Sequence, residues 1–225
     1  MAIIEPVKMD VIHPKKNKKY SSSLRLWHWV NLVVISGSLI TVLINSTITD
    51  DHTTSSLIKT ELQKSGVNAS ADQAGSAAHA LSDSVWDIHV YFGYCLAGLL
   101  VFRLILEFFQ LADQKFIRQM KSAYTKFNAI KKNREIARHE LTVKLIYAIF
   151  YLLLIIMVTT GLFLAFEDAL AAYKSIRHTV KDVHGFCMYL VLAFIAVHLA
   201  GVFLAERKDD SKGIVSDMIN GGNEN

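Results

Sequence analysis

Residues 184–198, HGFCMYLVLAFIAVH, decide the fold. The stretch is apolar throughout, and a histidine closes it at each end. Read as an α-helix, the fourteen-residue step from His184 to His198 covers roughly 21 Å and returns to within about 40° of the same face. The run continues to Ala205, so residues 185–205 hold no Asp, Glu, Lys or Arg and only His198 as a basic group. That length is near the roughly 20 residues needed to cross about 30 Å of hydrocarbon. Ionisable side chains are scarce in such spans and usually mark a function.

Three more blocks have the same character. Residues 26–44 (LWHWVNLVVISGSLITVLI) carry only His28. Residues 88–109 (IHVYFGYCLAGLLVFRLILEFF) carry His89, Arg103 and Glu107, and residues 145–166 (LIYAIFYLLLIIMVTTGLFLAF) carry no ionisable group apart from tyrosine. The chain of 225 residues is 52% hydrophobic with two prolines, and its mean hydropathy is +0.31. A soluble domain of this size would arrange its apolar residues in periodic stripes rather than in blocks. The fold class expected is therefore all-α, an integral membrane four-helix bundle. Its spans are predicted at about 24–48, 85–109, 142–166 and 182–205. A polar lead over 1–23, a transmembrane domain over 24–205 and a tail over 206–225 complete the organisation. The tail ends any helix at Gly221–Gly222, and no internal repeat or second domain is expected.

The net charge of +4 is distributed as a topology signal. Six Lys and Arg precede the first block (Lys8, Lys15, Lys16, Lys18, Lys19, Arg25). Eight lie in 110–143 (Lys115, Arg118, Lys121, Lys126, Lys131, Lys132, Arg134, Arg138), whereas 49–85 holds two against five acids. The positive-inside rule puts both termini and the 110–143 segment in the cytoplasm. Basic residues there also attract anionic lipid, and nucleic-acid binding is not expected. The 49–84 loop is predicted outside, with a short amphipathic helix at 56–64. In 110–143, Phe116, Met120, Phe127 and Ile130 recur at near-helical spacing, as a cytoplasmic extension or a surface-lying helix would. The first apolar block is too long and too late for a cleavable signal peptide. Cys95 and Cys187 lie inside spans, where cysteine acts as a small buried hydrophobe. Neither belongs to a C-x-x-C-H motif, which excludes covalent c-type haem attachment.

Topology gives each histidine a depth. His28 and His198 share the cytoplasmic half of the bilayer, and His89 and His184 share the outer half. Two opposed imidazole pairs, one above the other, form two bis-histidine sites suited to haem iron inside a helical bundle. Gly93, Gly185 and Gly201 lie close to the histidines in sequence and would let a flat porphyrin approach the backbone. A single histidine near a helix end more often bridges helices by a hydrogen bond, but two same-depth pairs are not expected by accident. A zinc or copper site would need ligands converging on one point, whereas these form two sites roughly 20 Å apart along a helix. His13, His52, His79, His139 and His178 are read as solvated. Arg103, fourteen residues after His89, admits two readings: partner of a haem propionate, or a snorkelling cation paired with Glu107 at i+4. Arg25, one turn before His28, is a second propionate candidate.

With these residues in place the chain resembles the di-haem cytochrome b561 superfamily. The motifs are Arg25-Leu26-Trp27-His28-Trp29, His89-x-x-x-Gly93-Tyr94 with Arg103, and His184 with His198. More closely it is similar to the b-type cytochrome subunit of membrane-bound nickel–iron hydrogenases and of thiosulfate reductases. The tail, Glu206-Arg207-Lys208-Asp209-Asp210 leading to Ile214-Val215-Ser216-Asp217-Met218-Ile219-Asn220-Gly221, adds to the likeness, which covers about 24–222. The 49–84 loop is longer, and the connection between the last two spans shorter, than in the hydrogenase subunits. The resemblance implies two haem b in a bacterial inner membrane, one held by His28 and His198 and one by His89 and His184. It further implies electron transfer between an outside-facing, hydrogenase-like redox subunit and membrane quinone. On that reading the chain is the quinone-reactive electron-transfer subunit of an oxidoreductase complex, with no catalytic residue of its own. Quinone contacts are sought among Asn31, Glu107, His139 and Lys144. The lipid bilayer is the other partner, and a homodimer is one arrangement to test. Two alternatives remain: a stand-alone cytochrome b561 passing electrons from a small donor such as superoxide to quinone, and a non-redox scaffold or transporter whose histidines only bridge helices.

Overall fold

The computed structural model describes residues 22–109, 116–129, 134–207 and 213–221, and everything regular in them is helical. In chain order the helices are α1 (Ser22–Thr47), α2 (Asp51–Lys64), α3 (Ala71–Phe109), α4 (Phe116–Ala129), α5 (Arg134–Ala165), a 3₁₀ turn (Ala171–Ile176), α6 (Arg177–Glu206) and α7 (Ile214–Asn220). Four of them, α1, α3, α5 and α6 (the last with its 3₁₀ lead), are long and apolar enough to cross a membrane. Many of their large apolar side chains, among them Val33, Leu43, Leu152, Phe186, Leu199 and Phe203, are exposed on the chain. Hydrocarbon is the solvent such a surface needs, and helices are the form that satisfies their backbone without water.

The predicted spans are found, but three extend further than predicted. Helix α3 begins at Ala71 instead of near 85, so much of the expected outer loop is helix. A reciprocal cap starts it: Gln73 N–H donates to Ser70 Oγ at 3.1 Å, and Ser70 N–H donates to Gln73 Oε1 at 2.9 Å. That is a capping box, which satisfies two otherwise orphan donors. Helix α2 begins at Asp51 rather than 56, because the Asp50 carboxylate accepts from Thr53 N–H and from Thr53 Oγ1–H. Helix α5 starts at Arg134, well before the predicted 142. Helix α6 starts at Arg177, and the expected loop before it is partly the 3₁₀ turn.

The Thr53 hydrogen bonds hold the exposed Asp50 carboxyl below its ordinary pKa of 3.8. A depressed carboxylate supports its helix above the unfolded value and loses that support as pH falls through the folded value. Hydrogen exchange should therefore show the first turn of α2 equally protected from neutrality down to pH about 4, and fraying only below it.

By contacts the chain forms two compact units, Val30–Gly98 and the remainder. In the first, most of α1, α2 and the N-terminal part of α3 pack on small side chains. Ala74 and Ala78 are fully buried, and Thr54 is buried too, its hydroxyl donating to Ile48 O at 2.9 Å. Asn45 Nδ2 donates to Ser82 O at 3.4 Å, and Gly37 leaves room for the ring of Phe92, with which any Cβ would collide.

In the second unit α5 packs on α6 and on α4. Leu154 is fully buried there, and Ala123 seats α4. The Glu107 carboxylate accepts from Phe116 N–H at 2.5 Å, which fixes where α4 begins. Helix α4 is thus a packed extension with Arg118, Lys121 and Lys126 in its sequence. Trp27 is buried and donates to Leu99 O at 2.9 Å. The tail folds as α7, held at both ends. The Glu206 carboxylate accepts from Gly213 N–H and Val215 N–H at its start. Arg25 Nη1 donates to Ile219 O at 2.5 Å and Trp29 Nε1 to Met218 O at 3.2 Å at its end. Gly221, at φ +90°, terminates it as the sequence predicts. Of the polar lead only Ser22 and Ser23 are described, as the first residues of α1.

Candidate functional site

His28 on α1 and His198 on α6 belong to the same unit, and their ring centroids lie 6.3 Å apart with planes at 57°. A metal bridging two imidazoles needs a nitrogen–metal bond of roughly 2.0 Å on each side. With about 1.1 Å from nitrogen to ring centre, the centroids of such a pair lie about 6 Å apart. The spacing of these rings fits one iron between them. Aromatic rings frame the pair: Trp29 meets His28 edge-on at 5.3 Å, Phe194 stacks on His198 at 5.9 Å, and Phe150 stacks on Phe194 at 4.3 Å. His28 Nδ1 is buried without a hydrogen-bond partner among the described residues.

His89 and His184 are bound differently, each within its own unit. Thr41 Oγ1 lies 2.9 Å from His89 Nδ1, with the Ser38 carbonyl oxygen at 3.3 Å. Thr160 Oγ1 lies 2.8 Å from His184 Nδ1. Gly161 adjoins the same ring, where an added Cβ would come within 3.2 Å of His184 Cε1. Thr41, Thr160 and Gly161 were not among the residues expected from sequence. A threonine inside an apolar helix carries no periodic signal, so nothing in the composition sets these two apart from their neighbours. By contrast, a Cβ at Gly93, Gly185 or Gly201 would meet nothing within 4 Å among the described residues.

Arg103 corrects one reading. Its side chain does not snorkel to water; the residue is 7% exposed. Nε donates to Tyr151 Oη at 2.9 Å, Nη1 lies 3.3 Å from Glu107 Oε2, and the guanidinium sits 5.5 Å from the Tyr151 ring centre. The ion pair with Glu107 is therefore present, in a buried setting. Glu107 pairs with Arg103 through Oε2 and accepts from Phe116 N–H through Oε1. Asn31 is buried on α1, Lys144 is half-buried and His139 exposed. Arg25 spends its guanidinium on Ile219 O and Ser22 Oγ, making it a clasp for α7.

The remaining histidines agree with a solvated reading where they are described. His52 and His139 are exposed. His79 pairs with Asp51 at 3.2 Å and His178 with Asp182 at 3.0 Å, both on exposed surfaces. His13 lies outside the described residues. Cys187 is buried as expected, but Cys95 is exposed on α3 and so is not the buried hydrophobe that was predicted. Among the described residues no three His, Cys, Asp or Glu side chains converge as a metal-binding group.

A family model described as prokaryotic cytochrome b561 matches residues 19–221. Comparison with curated proteins and with solved structures finds no match.

Proposed function

The chain belongs to the prokaryotic cytochrome b561 family, and from that premise we propose that it carries two haem b and passes electrons between an outside-facing, hydrogenase-like redox subunit and membrane quinone. Membership itself makes it a multi-pass membrane b-type cytochrome of electron transfer. The finer reading is carried by the 6.3 Å separation of the His28 and His198 rings, which suits one iron with two axial imidazoles.

His28 and His198 hold the inner haem in this proposal. His89 and His184 hold the outer one, on the depths assigned from the sequence. When bound, haem supplies one-electron redox chemistry at each level. The chain's own contribution is to fix the rings and to exclude water. Trp29 lies edge-on against His28 and Phe194 stacks on His198, with Phe150 stacked behind Phe194, which puts apolar rings beside both inner imidazoles. Basic residues flanking the spans set both termini in the cytoplasm of a bacterial inner membrane. Quinone reduction near the inner site would take cytoplasmic protons and move negative charge inward, contributing to membrane potential.

Pyridine haemochrome quantitation of the purified full chain tests the reading. Two haem b per chain are expected, and a ratio well below two excludes it. Co-purification then separates the partner hypotheses. A large redox subunit attached to the outer face supports the proposal. A lone chain, or homodimer, that reduces quinone with a small diffusible donor supports the stand-alone cytochrome instead.

A further inference from the structure

We propose that Thr160 and Thr41 are positioning residues, each accepting the Nδ1 proton of a haem-ligating histidine and so setting the ligand strength of the outer site. This rests on the assignment of His184 and His89 as ligands under the proposed function.

The argument is one of counting hydrogens. A threonine hydroxyl has a single proton to give. Thr160 Oγ1 gives its proton to the helix, donating to Ile156 O at 2.6 Å and reaching Met157 O at 3.2 Å. Thr41 Oγ1 donates to Ser38 O at 2.6 Å. With that proton spent, each hydroxyl can only accept from the ring nitrogen it faces, at 2.8 Å for His184 and 2.9 Å for His89. Both rings then carry their proton on Nδ1. At His89 the Ser38 carbonyl oxygen, 3.3 Å away, calls for the same tautomer because a carbonyl cannot donate, and the Ser38 hydroxyl at 3.4 Å can accept from that proton too. Nε2 is left in each ring with its lone pair, the nitrogen a metal takes. Gly161 lets the His184 ring lie against α5, since a Cβ there would press on Cε1.

The consequence separates the two sites. An imidazole whose other N–H is hydrogen-bonded is a more basic ligand, and a more basic ligand favours ferric over ferrous iron. His28 Nδ1 makes no such bond among the described residues. The outer haem therefore has the lower midpoint, and an electron shared between the sites rests mainly on the inner one.

Potentiometric titration and low-temperature EPR of the purified, haem-loaded full chain test this with Thr160→Val and Thr41→Val, which keep shape and remove the acceptor. Each should raise the lower midpoint and leave the upper one in place. At the wild-type lower midpoint the ferrous-to-ferric ratio of that haem should rise by up to about fivefold, because only the difference in hydrogen-bond strength between the two oxidation states counts. Only one of the two ferric low-spin signals should move. Thr160→Ser, which keeps a hydroxyl, should restore both readouts. Thr41→Val, on a different helix, carries the test if Thr160→Val fails to fold. Two haems with unchanged midpoints and unchanged EPR in the valine variants overturn the proposal while leaving the di-haem reading intact. Retention of both haems by His184→Ala instead overturns the ligand assignment, and this proposal with it.

Discussion

Replacing His198 with alanine should halve the haem content, from two per chain to about one, and leave the second haem spectrally intact. The His28 and His198 rings lie 6.3 Å apart, and under the proposed assignment one iron loses one of its two protein ligands. His184, on the same helix, sits roughly 21 Å away along the axis and has its own partner in Thr160. The ring that stacks on His198 is Phe194, which cannot replace a nitrogen donor. His28→Ala should give the same product, and the double variant should lose no more haem than either single one. Strong non-additivity of that kind is the mark of two residues serving one site. His89→Ala or His184→Ala should remove the complementary haem. The measurement is haem per chain by pyridine haemochrome, with the ferric EPR signals telling which site survives. Equal loss of both haems from His198→Ala would mean that the sites are not separate.

The spans were legible because hydrocarbon demands unbroken apolar length, and 145–166 or 185–205 can be read in no other way. Their ends were not, because hydropathy stops reporting where the membrane does while the helix continues. At Ala71–Ser84 the polar, alanine-rich composition looked like a loop. The informative signal was Ser70-Ala-Asp-Gln73, a capping box visible in the sequence, followed by Ala74 and Ala78 at the i, i+4 spacing that buries one face. At Arg134–Leu141 helix-favouring charged residues extend α5 beyond its apolar block in the same manner. The pairing of His28 with His198 could be argued from depth alone, since charge asymmetry orients every span at once. What surrounds the histidines could not. Thr41, Thr160 and Tyr151 act through a single polar atom in otherwise apolar helices, and such an atom leaves no periodicity to detect. The clasp on α7 was similarly hidden. Arg25 and Ile219 stand 194 residues apart in the chain, and only the folded structure brings them to one hydrogen bond.

Arg103→Met should be among the most destabilising substitutions in the second unit, at about 3 kcal/mol. The guanidinium is buried, and it serves two groups at once: it donates to the Tyr151 hydroxyl through Nε and forms an ion pair with the Glu107 carboxylate, Nη1 lying 3.3 Å from Oε2. Methionine fills much of the same volume but leaves Glu107 without its cation in a setting that is only partly hydrated. The penalty comes chiefly from that orphaned carboxylate, not from lost attraction, because a buried ion pair gains little net over an apolar replacement of both partners. Two consequences distinguish this account from simple loss of packing. Glu107→Gln in the Arg103→Met background should recover much of the lost stability, whereas Glu107→Gln alone should destabilise by leaving the arginine unpaired. Because Glu107 also accepts from Phe116 N–H, the start of α4 should fray in Arg103→Met before the spans are affected. Thermal unfolding in detergent across the four-member cycle, with hydrogen exchange at 116–120, measures each of these. A double variant no more stable than Arg103→Met alone would show that the arginine's packing, not its pairing with Glu107, supports the unit.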